Sequence, residues 1–259
     1  MSLMKENKVS IVFVTYNNLD YLEKSYRSIS GLGRIVSELI VVDSSSDLSI
    51  KNYLEYNSEF KFKYKWEAPQ GIYHAMNSAL SLAEHNDFIW YLNPPDQLID
   101  KDVLRKLLLK LGEEKSTWGY AQASKELNGK KEIYPLTLIK PTVESIASGR
   151  LSISHQAMLV KVSELRSIGG FDQNFFVAAD LKAQILLVRN FFPSFVMEPL
   201  VAIDATGISH QRQIQTFTET FRIRLLTKDF SKRLVIYITF RNLSIKFFNK
   251  VLNFCKALR

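Results

Sequence analysis

The sequence predicts an α/β domain over residues 1–210, with a mostly parallel central sheet and helices on both faces. A basic helical extension, residues 211–259, follows it. Three observations carry this prediction. Strand-like and helix-like patterns alternate through the first hundred residues, and such alternation builds βαβ units around a parallel sheet. Several apolar runs stop abruptly on polar residues, as strands do where an open α/β sheet meets its ligand. The charge is also divided. Residues 210–259 hold eleven Lys/Arg against two acids, Glu219 and Asp229, so they carry +9 of a chain whose total is +8, and residues 1–209 come to −1.

The elements follow in order. Val9 to Val14 is apolar and β-branched, a buried strand ending at Thr15-Tyr16-Asn17. Asn17-Asn18 turns the chain into a helix over Leu22 to Ile29. Glu38 to Asp43 is a second strand that stops on an acid, followed by three serines and a helix from Leu48 to Tyr56. Phe60, Phe62, Tyr64 and Trp66 alternate with Lys61, Lys63 and Lys65, the period-2 pattern of a strand with one wet face. Ala75, Met76, Ala79, Leu80 and Ala83 recur at helical spacing, and the apolar strand Phe88 to Leu92 comes next. That strand ends on Asn93-Pro94-Pro95-Asp96. The prolines stop it and stiffen its exit, and the carboxylate is then expected at a ligand-binding lip. Asp102 to Leu111 reads as a helix capped by Asp100. Trp118 to Ala123 and Glu132 to Leu138 read as strands around Asn128-Gly129. Leu151 to Val160 is apolar around His155-Gln156, Gly169 to Asp172 is a turn, Asp180 opens a helix running to Arg189, and Phe195 to Ile203 is extended. Gly207 to His210 ends the compact part.

Composition narrows the function. At 46% hydrophobic and 23% charged residues the chain has the makeup of a globular protein with a real core. Its single cysteine, Cys255, excludes a disulfide framework and fits a reducing compartment. The first apolar run is too short for a signal peptide, and no window reaches the roughly 18 apolar residues of a membrane span. A cytoplasmic location is expected. The pI of about 9.4 raises nucleic-acid binding, but the cations crowd the tail and no RNA-binding motif accompanies them, so no nucleic acid is expected. There is no G-x-G-x-x-G after the first strand, no P-loop, no H-E-x-x-H and no cysteine set. What remains is an acidic, aromatic sheet edge suited to a nucleotide and a divalent cation.

The blocks "VSIVFVTYNN", "ELIVVDSSS", "QGIYHAMNSALSLA" and "FIWYLNPPDQLI" resemble, in order, those of family 2 glycosyltransferases with the GT-A fold. The branch resembled is bacterial and builds surface polysaccharides, colanic-acid-type enzymes included. "SHQAMLV", "GGFDQNF", "AADLKAQILLV" and "GIS" extend the resemblance over about residues 8–210. It implies an inverting transfer from a nucleotide-diphosphate sugar, most often a UDP-sugar, to a saccharide or lipid-linked saccharide. By matching position it places Thr15, Tyr16 and Asn17 at the nucleotide, Tyr16 by stacking, and Asp43 on the uracil or ribose. Asn93 falls in the acidic metal motif and Asp96 is the implied ligand to Mn²⁺ or Mg²⁺. Asp180 matches the general base, and His155 and Gln156 lie on the acceptor side. The chain departs from the pattern at Asn93, Pro69 and His74, where acids are usual; an asparagine still bonds a ribose hydroxyl but adds no charge.

Simpler readings stand beside these. Tyr16 and His155 could be core residues, Asp43, Asp96 and Asp180 could cap helices, and His74 and His210 could be structural. A non-catalytic GT-A-like subunit that binds a nucleotide-sugar or a partner is the alternative function. In the tail, Phe248, Val251, Cys255 and Leu258 recur at i, i+3, i+7 and i+10, and Phe217, Phe221 and Leu225 at every fourth residue, with cations between. That pattern predicts amphipathic helices lying peripherally on the inner face of a membrane. The alternative is that these helices pack on the domain.

Overall fold

The structure, a computed structural model, describes residues 7–84, 87–127, 130–136, 139–204, 212–227, 235–238 and 240. The expected turn at Asn128-Gly129, the end at Gly207 to His210, Cys255 and the stripe from Phe248 to Leu258 lie outside the described residues. The first half runs β1 (Val9–Thr15), α1 (Leu19–Ile29), β2 (Val36–Asp43), α2 (Ser49–Asn57), β3 (Phe62–Trp66), α3 (Ile72–Leu82), β4 (Phe88–Tyr91). Then come β5 (Gln97–Leu98), α4 (Lys101–Glu113), β6 (Trp118–Leu127), β7 (Lys130–Tyr134), α5 (Val143–Ala147), β8 (Met158–Lys161), α6 (Val162–Ser167), α7 (Ala179–Asn190), β9 (Ser194–Ile203) and α8 (Gln213–Leu226).

One sheet joins all the strands in the order β3-β2-β1-β4-β8-β6-β9-β5, with β7 on β6. The pairs β2–β3, β1–β2 and β1–β4 are parallel, as the βα alternation requires. Beyond β4 the sheet becomes mixed: β8 is antiparallel to both β4 and β6, β9 is parallel to β6, β5 is antiparallel to β9 and β7 is antiparallel to β6. β6 and β7 form a hairpin, and longer connections, through α5 and then through α6 and α7, bring β8 and β9 in on either side of β6. Side chains alternate between two cores. Ile11 and Phe13 of β1 face α1, α2 and α4, while Val12 packs toward α3, α5, α6 and α7.

Several expected boundaries shift for visible reasons. Helix α1 starts at Leu19 because the Asn18 side chain accepts the Tyr21 N–H (3.0 Å) and caps it. Asp100 caps α4 as expected, accepting the Asp102 N–H (2.8 Å). β7 stops at Tyr134, before Pro135, which has no N–H to give a ladder. The apolar run Leu151 to Val160 yields a strand only from Met158; His155–Ala157 forms a 3₁₀ turn instead. The lysine face of β3 is not simply wet. Lys63 Nζ lies 2.8 Å from the buried Glu38 and 3.1 Å from Glu84, and Lys65 lies 2.9 Å from Glu67. Among the described residues no helix is long and apolar enough to cross a membrane.

Candidate functional site

Two groups of polar side chains sit at the carboxyl ends of the parallel strands. The first lies where β1, β2 and β3 end in register, Thr15 beside Asp43 and Asp43 beside Trp66. Asp43 is fully buried. Its Oδ1 accepts from Ser45 N–H (2.9 Å) and Ser45 Oγ–H (2.5 Å), and its Oδ2 accepts the Tyr64 hydroxyl (2.7 Å). Burial and the Asp43 charge push the Tyr64 hydroxyl pKa well up, so it stays a donor. Asn17 adopts φ +49, a left-handed conformation that asparagine tolerates. Its N–H donates to Ser45 Oγ (2.8 Å) and its Oδ1 accepts the Ser46 N–H (2.8 Å). The strand ends of β1 and β2 are thus stitched together. Thr15 is buried beneath them, and Tyr16, 61% exposed, stands free on the edge. Trp66, 56% exposed, is pinned by Nε1–H donating to the Ser45 carbonyl (2.7 Å).

The second group surrounds the end of β4. The tight turn Asn93 to Asp96 closes with Asp96 N–H on the Asn93 carbonyl (3.0 Å). β5 pairs with β9 through Gln97–Ala202, which carries Asp96 to the end of β9, where its Oδ1 accepts the Asp204 N–H (2.9 Å). Its Oδ2 accepts from Gln156 Nε2 (2.9 Å). Burial pushes the Asp96 carboxyl up to about 6 despite those two bonds. The 3₁₀ turn lies beneath, tethered by Trp90 Nε1–H to the Gln156 carbonyl (2.7 Å). It presents His155 and Gln156 to the same place. His155 Nε2 lies 3.4 Å from Asn93 Nδ2, and its Nδ1 lies 3.3 Å from Asp180 Oδ2. A ring with its proton on Nδ1 satisfies both contacts, donating to Asp180 and accepting from Asn93. Tyr73 of α3 donates its hydroxyl to Asp180 Oδ1 (3.0 Å). Burial raises the Asp180 pKa, but His155 and Tyr73 outweigh it and hold the carboxyl below its ordinary value.

All nine residues singled out from the sequence therefore fall on one edge of the sheet, in two groups. Thr15, Tyr16, Asn17 and Asp43 form one; Asn93, Asp96, His155, Gln156 and Asp180 form the other. Ser45, Tyr64, Tyr73, Trp66 and Asp204 belong to these groups and were not singled out. Tyr64 and Trp66 were visible only as one face of an alternating strand, and Tyr73 only as part of the "GIYHAMN" block. His74 pairs with Glu67 (3.1 Å), whose carboxyl stays low because Ser78, Lys65 and His74 together outweigh its burial.

The Asn93 bond to His155 orients its amide and leaves Oδ1 buried with no partner. A buried acceptor without a protein donor calls for a donor from water or a ligand. The residues also fit a divalent cation in a limited way. Among the described residues no three His, Cys, Asp or Glu side chains converge. Asp96 is one buried carboxylate with a lone pair to spare on each oxygen. That suits Mg²⁺ or Mn²⁺ held by one carboxylate and completed by substrate phosphates.

An α/β sheet of this topology, with polar strand ends on one edge and an acid-bearing turn after β4, is that of the GT-A class of glycosyltransferase domains. The family model "Glycosyl transferase family 2" matches residues 10–149, and the chain belongs to that family. Two sequences of Mycobacterium tuberculosis strains, each named an uncharacterized glycosyltransferase, are 28% identical over 215 residues, covering 79% of this chain and 78% of theirs. Among solved structures, Staphylococcus aureus TarS 1–349 in complex with UDP-GlcNAc superposes with a TM-score of 0.69 at 18% identity, over 90% of this chain and 70% of that one. The chain spans 42% of the longer TarS chain. The mannosyltransferase PcManGT of Pyrobaculum calidifontis, in complex with GDP-Man and Mn²⁺, gives 0.64 at 16% identity, over 88% and 66% of the two chains.

Proposed function

We propose that the chain transfers a sugar, with inversion, from a nucleotide-diphosphate sugar to a saccharide or lipid-linked saccharide of a surface polysaccharide. The observation that carries this is the convergence, on one sheet edge, of an ionised Asp180, a buried Asp96 and an unsatisfied Asn93 oxygen. The donor's base lies against Tyr16 near Thr15 and Asn17, with Asp43 ordering Ser45 and Tyr64 behind it. A donor hydroxyl fills the vacant Asn93 Oδ1. A UDP-sugar is the first choice, in keeping with the resemblance and with the TarS complex. Asp96, together with the donor phosphates, would hold Mn²⁺ or Mg²⁺, which would supply charge neutralisation at the departing diphosphate. Asp180 takes the proton of the acceptor hydroxyl as that oxygen bonds to the anomeric carbon. The anomeric C–O bond breaks at the same time, and its electron pair leaves with the nucleoside diphosphate. His155 and Tyr73 fix the carboxylate, and Gln156 fixes Asp96.

The acceptor side faces a membrane in this reading. The net charge of +9 after residue 209 suits anionic headgroups, and Leu225, Leu226, Tyr237 and Phe240 are exposed. A second reading, a GT-A-like subunit that binds nucleotide-sugar without transfer, is favoured by one feature: both Asp96 oxygens already accept protein hydrogen bonds. Incubation with UDP- and GDP-sugars and Mn²⁺ separates the two. Release of nucleoside diphosphate supports transfer. Tight nucleotide binding with no release from any donor supports the second reading.

A further inference from the structure

Glu219 lies in the middle of α8, beyond the segment that defines the family, yet its carboxylate reaches the loop in front of α7. Oε1 accepts the Phe176 N–H (2.9 Å), and Oε2 accepts those of Val177 (2.8 Å) and Ala178 (3.1 Å). Gln215 Nε2 donates to Oε1 (3.0 Å) and steadies the group. N–H groups at a helix start have no partner within the helix, and α7 has no side-chain cap of its own at Ala178. A carboxylate there also suits the positive end of the helix dipole. Asp180 follows two residues after the last amide that Glu219 holds. Other α8 side chains grip the same region. The Arg212 guanidinium lies 4.4 Å from the Phe176 ring centroid and that of Arg222 lies 5.1 Å from the Phe175 ring centroid. The buried Arg224 ties α8 to α5 instead, donating Nε–H to the Ala147 carbonyl (2.6 Å).

We propose that Glu219 is a positioning residue and α8 a brace: by holding the amides of residues 176–178 it fixes the first turn of α7, and through it the Asp180 carboxylate. The inference rests on the reading of Asp180 as general base. A reacting group displaced by about 1 Å can cost about 10²-fold in rate. None of these Glu219 hydrogen bonds goes to Thr15, Tyr16, Asn17, Asp43, Asn93 or Asp96, so its loss acts on turnover and spares donor binding.

The test uses the full chain, the donor and octyl-glycoside acceptor that give the fastest UDP or GDP release, and Glu219→Ala, Glu219→Gln, Asp180→Asn and the Glu219→Ala/Asp180→Asn double variant. Glu219→Ala is expected to lower kcat about 10- to 100-fold with nucleotide affinity unchanged, and Glu219→Gln, which keeps one acceptor oxygen, to recover much of it. In the Asp180→Asn background the Glu219 effect should largely vanish, because two residues acting as a unit are not additive. Amide hydrogen exchange should quicken at residues 176–178 in Glu219→Ala. Unchanged exchange overturns the proposal, as does wild-type kcat in Glu219→Ala while Asp180→Asn is inactive. Equal loss of kcat and nucleotide affinity would make Glu219 merely structural and also overturn it. Normal turnover in Asp180→Asn would instead strike down the base reading, and the proposal with it.

Discussion

Asp96 is a carboxylate held almost out of water, and its pH behaviour follows from that. Burial raises its pKa from the ordinary 3.8 to about 6. Between those values the folded chain holds the proton that the unfolded chain has lost. The associated stability is therefore fully present below about 4 and disappears as pH rises through about 6. A shift of this size corresponds to about 3 kcal/mol. The metal-free protein is expected to show a higher urea midpoint at pH 5 than at pH 7.5, and Asp96→Asn to flatten the difference. A variant that keeps the full pH dependence would show that Asp96 is not its source. Asp180 has the opposite shift, since His155 and Tyr73 overcome its burial, so it is ionised at neutral pH. Asp180→Asn keeps the shape and the Tyr73 bond but cannot take the proton. It should lose about 10²–10⁴-fold in kcat while binding UDP within a factor of two by calorimetry. Near-normal turnover would remove the base assignment. At this scale the acids were legible in the sequence because each sits at a strand or helix end. The contact between Asn93 and His155 was not, because the two lie 62 positions apart.

The elements explain why the first hundred residues read so plainly and the next hundred did not. β1, β2 and β4 are buried on both faces and β3 alternates aromatic and lysine side chains, so their patterns are strong and local. β5 has two residues, too few for any periodicity, yet it aims Asp96 at the end of β9. The apolar run before β8 hides a turn because its buried residues contact the core without forming a ladder. The turn after α6 shows how much one position can decide. Gly169 and Gly170 both take positive φ, +85 and +68. A Cβ at Gly169 would meet open space, but one at Gly170 would lie 2.5 Å from Asn77 Oδ1. Asn77 cannot give way easily: its Oδ1 accepts the Phe171 N–H (2.9 Å) and its Nδ2 donates to the Phe171 carbonyl (2.7 Å). Gly169→Ala should cost only the backbone strain, about 1 kcal/mol. Gly170→Ala adds a broken pair of hydrogen bonds, each worth about 1 kcal/mol, and should cost roughly 3 kcal/mol by denaturant titration. Equal losses at the two positions would mean that the Asn77 clamp contributes nothing.

On the scale of the whole molecule, the chain combines a near-neutral catalytic body with a basic end. The expectation that residues 217–225 lie on a membrane meets a competing fact, since α8 is docked on the domain through Glu219 and Arg224. Phe217 and Phe221 are partly covered, whereas Leu225 and Leu226 remain exposed. Under the proposed membrane reading, the contact is assigned to the outer edge of α8 and to the cations that follow it in sequence. Of the eleven Lys/Arg after residue 209, eight lie beyond Leu226. Each cation near an anionic surface is worth about 1 kcal/mol, so even half of them would dominate partitioning. The full chain is expected to co-sediment with vesicles containing phosphatidylglycerol, not with pure phosphatidylcholine, and to be released as salt shortens the Debye length from about 10 Å to about 3 Å. Replacing Lys246, Lys250, Lys256 and Arg259 by Glu in the full chain changes no residue of α8. It reverses four charges, so it should abolish sedimentation while leaving nucleoside diphosphate release from a soluble acceptor unchanged. Retained sedimentation by this variant would move the contact away from the tail, and loss of release from a soluble acceptor would make the tail part of the catalytic body.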